Sequence, residues 1–301
     1  MKLLFLLSFI GFSATMWSQS DTNRIKAHMT VLTQTAVHRN YENMDQLNEI
    51  ADYLHAEFTK YADTVYFQSY FIGKREYKNV IASFGTQHAE RIVVGAHYDV
   101  CGEQEGADDN ASGTVGLLEL ARQLDTVTTA QRIDLVAFTL EEPPFFRSEY
   151  MGSYIHAQSL ITDSANVKGM ICLEMIGYFA DAKKTQDYPL GILRLFYGSR
   201  GNYITLVNQF GPGKFARKFT KRFKHKSAVK AKQFKGPKSL PGIDFSDHLN
   251  YWQVGISALM ITDTAFYRNK QYHQKGDTMN RLDYDRMAQV IDAVFVVLTA
   301  Q

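Results

Sequence analysis

The sequence predicts an α/β protein, a three-layer α/β/α sandwich built on a mixed but largely parallel central sheet. Three observations predict it. Four near-continuous apolar runs, at residues 92–96, 133–140, 170–173 and 256–261, suit strands covered on both faces. Val115, Leu118, Leu120, Ala121 and Leu124 recur at helical spacing between the first two runs, as a crossover between parallel strands requires. The first three runs end at histidine or acidic residues, namely His97 and Asp99, Glu141 and Glu142, and Glu174. Ligands collect at that end of the strands in open α/β sheets.

Taken in order, the chain begins with one lysine, an apolar stretch over residues 3–16, and then small and polar residues. This reads as a secretory signal cleaved near Ser18. The stretch is too short for a comfortable membrane span, and no cysteine follows it for lipid attachment. The expectation is a signal peptide at 1–18 and a single domain at 19–301, periplasmic or secreted, with no stable membrane anchor. Ile25, Met29 and Leu32, then Leu47, Ile50, Leu54 and Phe58, predict two amphipathic helices. Residues 64–71 and 77–84, rich in aromatic and β-branched side chains and separated by Gly73, predict a hairpin. The apolar runs follow, and residues 190–197 read as a fifth core strand. Phe215, Phe219 and Phe223 recur every four residues, which predicts a solvated helix with an apolar face.

With 301 residues, 45% of them hydrophobic, the chain can bury a full core. A net charge of +2 gives no reason to expect a nucleic-acid partner. The charge is nonetheless uneven: residues 188–243 contain no acid, and a basic patch there could steer acidic peptides. The two cysteines, Cys101 and Cys172, cannot form a thiolate zinc cluster by themselves and read as buried free thiols.

The polar end of the sheet carries the functional reading. The stretch 96–113, AHYDVCGEQEGADDNASG, offers a histidine, an aspartate two residues on, and the pair Asp108 and Asp109. This imidazole and carboxylate mixture is what zinc prefers. Glu141, Glu142 and Glu174 add carboxylates, and the loop after the last run brings His273, followed by Asp277. Residue pattern alone does not choose between Asp108 and Asp109.

These blocks together resemble the M28 metallopeptidases, zinc aminopeptidases whose relatives include glutaminyl cyclases. The resemblance rests on HYD at 97–99, GADDNASG at 106–113, EE at 141–142, LEMIG at 173–177, SDH at 246–248 and YHxxxDT at 272–278, in the family's order. It implies a zinc-exopeptidase (phosphorylase/hydrolase-like) fold and two divalent metal ions, most commonly zinc. By position, His97 and Glu174 would hold one ion, Glu142 and His273 the other, with Asp109 bridging and Glu141 as general base. Neighbouring side chains on a strand face opposite ways, so adjacent glutamates with different tasks are reasonable at a strand end. Asp99 would take the other ring proton of His97, and Asp247, His248 and Asp277 would support or line the site. The implied activity is hydrolysis of the peptide bond after a free N-terminal residue.

Three positions depart from the usual family pattern: Glu105 where proline is common, Glu174 where aspartate is commoner, and Gln274 with Lys275 where Thr-Pro often follows the histidine. None removes an expected ligand. Two other enzymatic readings fit the same scaffold: a one-zinc glutaminyl-peptide cyclotransferase and a carboxypeptidase-type hydrolase. Relatives of the cyclase type lack a histidine at the place of His97. A catalytically silent binding module would be expected to have lost ligands.

Overall fold

A computed structural model describes residues 19–211 and 213–300, so the expected signal peptide lies outside the described residues. Helices α1 (Thr22–Thr33) and α2 (Met44–Thr59) bury the residues whose spacing predicted them: Ile25, Met29, Leu32, Leu47, Ile50, Leu54 and Phe58. The Asp21 side chain caps α1 by accepting the N–H groups of Asn23 and Arg24. Strands β1 (Thr64–Ile72) and β2 (Arg75–Phe84) form the antiparallel hairpin, turning through Gly73.

The centre of the molecule is built from β3 (Arg91–His97), α3 (Gly113–Leu124), β4 (Arg132–Phe138), α4 (Gly152–Thr162), β5 (Val167–Glu174) and β8 (Ala258–Thr262). Strand β3 pairs in parallel with β4 on one side and β5 on the other, and β5 pairs in parallel with β8. Among the described residues the whole sheet has eight strands in the order β1-β2-β4-β3-β5-β8-β6-β7, where β6 is Ile204–Gln209 and β7 is Ala231–Gly236. The antiparallel pairs β1–β2, β2–β4 and β6–β8 make it mixed.

Both faces are covered, which explains the near-continuous apolar runs. Ile92, Val94 and Ala96 of β3 join one core with α1, α2, α3 and α8 (Tyr284–Thr299). Val93 points the other way, into a second core with α4 and α7 (His248–Gln253). Helix α6 (Gly213–Lys226) places Phe219 and Phe223 against the first core and leaves its cations in solvent, the solvated amphipathic helix expected from the phenylalanine spacing. None of the described helices is long and apolar enough to cross a membrane.

Two expectations are corrected. Residues 190–197 are not a core strand: they form a loop and the short helix α5 (Leu193–Tyr197), with Leu195 79% and Phe196 77% exposed. Apolar runs this short do not distinguish strand from helix, nor buried from exposed. The strands on that side are β6 and β7 instead. Strand β7, AKQFKG, was hidden inside the basic segment because an edge strand with lysines carries little apolar pattern. Both cysteines are free, but only Cys172 is buried; Cys101 sits half-buried in the loop after β3.

Candidate metal centre

The carboxyl ends of β3, β4 and β5 open onto one side of the sheet, and the chain turns there through strained backbone. Leu140, Met175 and His273 all have positive φ, at 58°, 51° and 56°. Such conformations are uncommon for residues with a Cβ and cluster where a side chain must be aimed. They lie immediately before Glu141, immediately after Glu174, and at a candidate ligand itself.

The result is two cages that share one carboxylate. In the first, His97 Nε2 is 3.4 Å from Asp109 Oδ1 and 3.3 Å from Glu174 Oε2. In the second, His273 Nε2 is 3.3 Å from Asp109 Oδ2 and 3.1 Å from Glu142 Oε2. Zinc bonds of 2.0–2.2 Å in tetrahedral geometry put neighbouring donors roughly 3.3–3.6 Å apart; the histidine–carboxylate spacings in both cages are close to this, and the donors of His97, Asp109 and Glu174 converge as a set. His97 Nε2, Asp109 Oδ2, Glu142 Oε1 and His273 Nε2 have no hydrogen-bond partner among the described residues. Orphaned atoms converging in a buried site are the arrangement that a cation satisfies.

The protonation pattern agrees. Burial alone would lower the pKa of His97, yet Glu174 and Glu141 drive it well above the ordinary value. His273 is likewise raised, against the effect of burial, by Asp109, Cys101 and Glu142. Asp109 is held far below the usual carboxylate range by the two histidines despite its burial. Burial pushes Glu142 up to about 7 and Glu141 well above its normal value, with neighbouring carboxylates adding to both. Without a metal, the countercharge comes from the histidines, shared protons and the buried Arg39 guanidinium; divalent cations would take over from the histidines and protons.

The surrounding residues hold these donors in place. Asp99 stands beside His97 Nδ1, which has the Asp99 main-chain oxygen at 3.2 Å and its carboxylate at 3.5 Å. That carboxylate also accepts the N–H groups of Glu141, at 3.2 Å, and Glu142, at 3.1 Å. The two glutamates occupy a loop beyond β4 rather than the strand itself, so the alternating-face argument does not apply and both side chains reach the site. Asp277 acts in parallel, accepting the N–H of Asp108 at 3.1 Å and of Asp109 at 3.0 Å. Asp108 turns away from the cages to accept from Gly177 N and the Asn269 side chain, both at 3.0 Å.

In the GADDNASG loop the backbone kinks out of helical geometry at Asp109 and Asn110, and the residues around the kink hold it in place. Gly106 has φ +56°, and a Cβ there would stand 2.3 Å from Asp109 O. The Asn110 side chain donates to Leu173 O at 2.9 Å and Glu174 Oε2 at 3.2 Å while accepting from Gly113 N and Met175 N, which ties the loop to β5. Gly113 permits that approach, because a Cβ would lie 2.5 Å from Leu173 O.

Of the SDH block, the residue that contacts a cage is Ser246, whose hydroxyl donates to Glu174 Oε2 at 2.7 Å. Asp247 is buried behind His97 and Glu174, with burial raising its pKa to about 7. His248 is turned away, its Nε2 2.8 Å from Ile243 O and its ring edge-on to Trp252. The sequence reading also missed Arg39. Fully buried, it donates to Tyr98 O, Leu32 O and Gly106 O at 2.7–2.8 Å, and to Glu105 O, clasping the loop between β3 and Asp109. No local pattern marks it, since its partners are main-chain atoms and all but Leu32 lie about sixty residues on. Beside Glu174 opens an apolar cavity of about 80 Å³, walled by Tyr203, Val207, Phe234, Ile243, Met260 and Phe266 among others.

The strand ends thus present two joined nitrogen and carboxylate cages, a buried extra glutamate and an apolar pocket, the makings of a metal-dependent enzyme. The chain belongs to peptidase family M28: the model of that family matches residues 79–298. It is 45% identical over 287 residues to the Escherichia coli protein YfbL, covering 93% of this chain and 88% of that one. It is 24% identical to leucine aminopeptidase 1 of Sclerotinia sclerotiorum, covering 89% and 69%. Of solved structures, LapB from Legionella pneumophila superposes with a TM-score of 0.73 at 23% identity, covering 94% of this chain and 73% of that one. A Bacteroides thetaiotaomicron glutaminyl cyclase shares the fold as well, with a TM-score of 0.72 at 17% identity and coverage of 94% and 99%. The family membership makes this protein a zinc metallopeptidase acting on peptides.

Proposed function

We infer that the protein is an aminopeptidase that cleaves the peptide bond after a free N-terminal residue at a two-ion centre. The observation that carries the reading is Asp109, whose two oxygens face different histidines, each completed by its own glutamate. Zinc ions held there would supply Lewis-acid polarisation of the scissile carbonyl and a water acidified towards neutrality. Glu141 is the general base. Its Oε2 lies 3.8 Å from His97 Nε2, and donor atoms of Glu141, His97 and Glu142 lie within 4.8 Å of one another, which sets it at the junction of the two cages; burial raises its proton affinity. It takes a proton from the attacking water and returns it to the departing amine, a role typically worth about 10²–10⁴-fold. Asp99 keeps Glu141 and Glu142 in register through their N–H groups, so the base and a ligand are aimed together.

The cavity next to Glu174 receives the side chain of the N-terminal residue. Its aromatic and aliphatic walls favour an apolar one, and about 80 Å³ far exceeds the roughly 10–15 Å³ one water needs. Glutaminyl cyclases share the fold, but fold alone does not select a reaction. The lysine and apolar stretch at the start of the chain support export and action outside the cytoplasm, which N-terminal sequencing of the mature protein would check.

The decisive experiment incubates the mature protein with aminoacyl amides, blocked peptides and N-terminal glutamine peptides, with and without chelator, alongside a metal count. Release of apolar N-terminal residues is expected, lost with chelator. Glu141→Gln should bind metal as the wild type does and lose about 10²–10⁴-fold in turnover. Cleavage of blocked peptides alone, ring closure without hydrolysis, or near-normal activity of Glu141→Gln would refute the reading.

A further inference from the structure

The two cages are not equivalent, and the difference lies in Cys101. It follows Asp99 by two residues in the loop after β3, half-buried among the ligands. Its sulfur and one donor atom each from Glu142 and His273 all lie within 4.8 Å of one another. The neighbouring donors are incompletely satisfied: Glu142 is 3% and Asp109 1% exposed, and Glu142 Oε1 and Asp109 Oδ2 have no hydrogen-bond partner among the described residues. A tetrahedral zinc ion takes four donors, and Asp109, Glu142 and His273 provide three.

We propose that the Cys101 sulfur is the fourth protein ligand of the ion held by Asp109, Glu142 and His273. This rests on the two-ion reading and extends it by giving the ions different tasks. Four protein ligands make a closed site, the arrangement of zinc ions that organise structure, whereas catalytic zinc keeps an open position. The ion held by His97, Asp109 and Glu174 is then the one with room for substrate, and Glu174 also borders the apolar cavity. A thiolate further biases the closed site towards zinc and away from magnesium, calcium or manganese, which favour all-oxygen ligands. A hard-metal hydrolase would gain nothing from sulfur at this place.

The test uses the full mature chain loaded with cobalt(II) in place of zinc. A sulfur-to-cobalt charge-transfer band in the near ultraviolet is expected, and Cys101→Ser should abolish it while leaving the visible d–d bands of both ions. Alkylation provides an independent readout: with Cys172 buried, Cys101 is the accessible thiol, and zinc loading should slow its reaction with iodoacetamide sharply. Two bound ions with no charge-transfer band and an unchanged alkylation rate would overturn the ligand assignment while leaving the two-ion reading intact. Failure to bind a second ion, with His273 and Glu142 present, would overturn both.

Discussion

Asp99→Asn separates a residue that tunes the centre from one that only fills space. The Asp99 carboxylate accepts two successive N–H groups, from Glu141 at 3.2 Å and Glu142 at 3.1 Å. Asparagine keeps one acceptor oxygen and turns an amide NH₂ towards the other N–H, so one hydrogen bond to a charged group is lost, worth about 1.5–3 kcal/mol. In the metal-free protein the loop can relax and recover part of this. Ion binding draws Glu142 back into position and exposes the loss as weaker affinity. At 1.4 kcal/mol per tenfold, the expected weakening is roughly 10–150-fold, matching the ~10–100-fold typical of residues that orient metal ligands. The assay is competition for zinc against a chromophoric chelator, run beside urea unfolding of the metal-free protein. Zinc affinity within about twofold of wild type, together with a metal-free stability lowered by the full 1.5–3 kcal/mol, would refute the reasoning and make Asp99 purely structural.

The bridge and the buried histidines give two further predictions. Asp109→Ala should empty or disorder both ion sites, whereas His97→Ala should chiefly weaken one; equal metal counts in the two variants would contradict the shared carboxylate. His156, buried with its Nδ1 2.6 Å from Tyr251 Oη, has its pKa lowered by burial to about 4. The unfolded chain, with a histidine pKa near 6.5, binds the extra proton first, so this residue's contribution to stability is full above pH ~6.5 and falls as pH drops towards 4. The loss reaches at most ~3 kcal/mol at the lower end. Urea unfolding from pH 7 to 4 should therefore fall more steeply for wild type than for His156→Gln, and parallel curves would count against it.

Much of the architecture was legible because its cause is local. A strand buried on both faces must be apolar along its length, and β3, β4, β5 and β8 were visible for that reason. Helices α1, α2 and α6 showed themselves through spacing that one buried face imposes. Where burial is one-sided or partial the pattern failed: β7 carries three lysines, counting its neighbour Lys230, and α5 exposes the apolar residues that made it look like core.

The sequence by itself supplied the candidate inventory of the site: His97, the pair Asp108 and Asp109, Glu141, Glu142, Glu174 and His273 stand in recognisable blocks because metal chemistry demands particular residue types. Only the tertiary structure decided how they meet. It aimed Asp109 between two histidines and turned Asp108 to Gly177 and Asn269. It gave Ser246, rather than its neighbours Asp247 and His248, the contact with Glu174, and brought Arg39 and Cys101 to the same loop. The physical reason is that these contacts join distant segments, many through main-chain atoms that every residue possesses. Ligand identity is written in side chains one at a time, whereas ligand geometry exists only once the strands that carry them lie side by side.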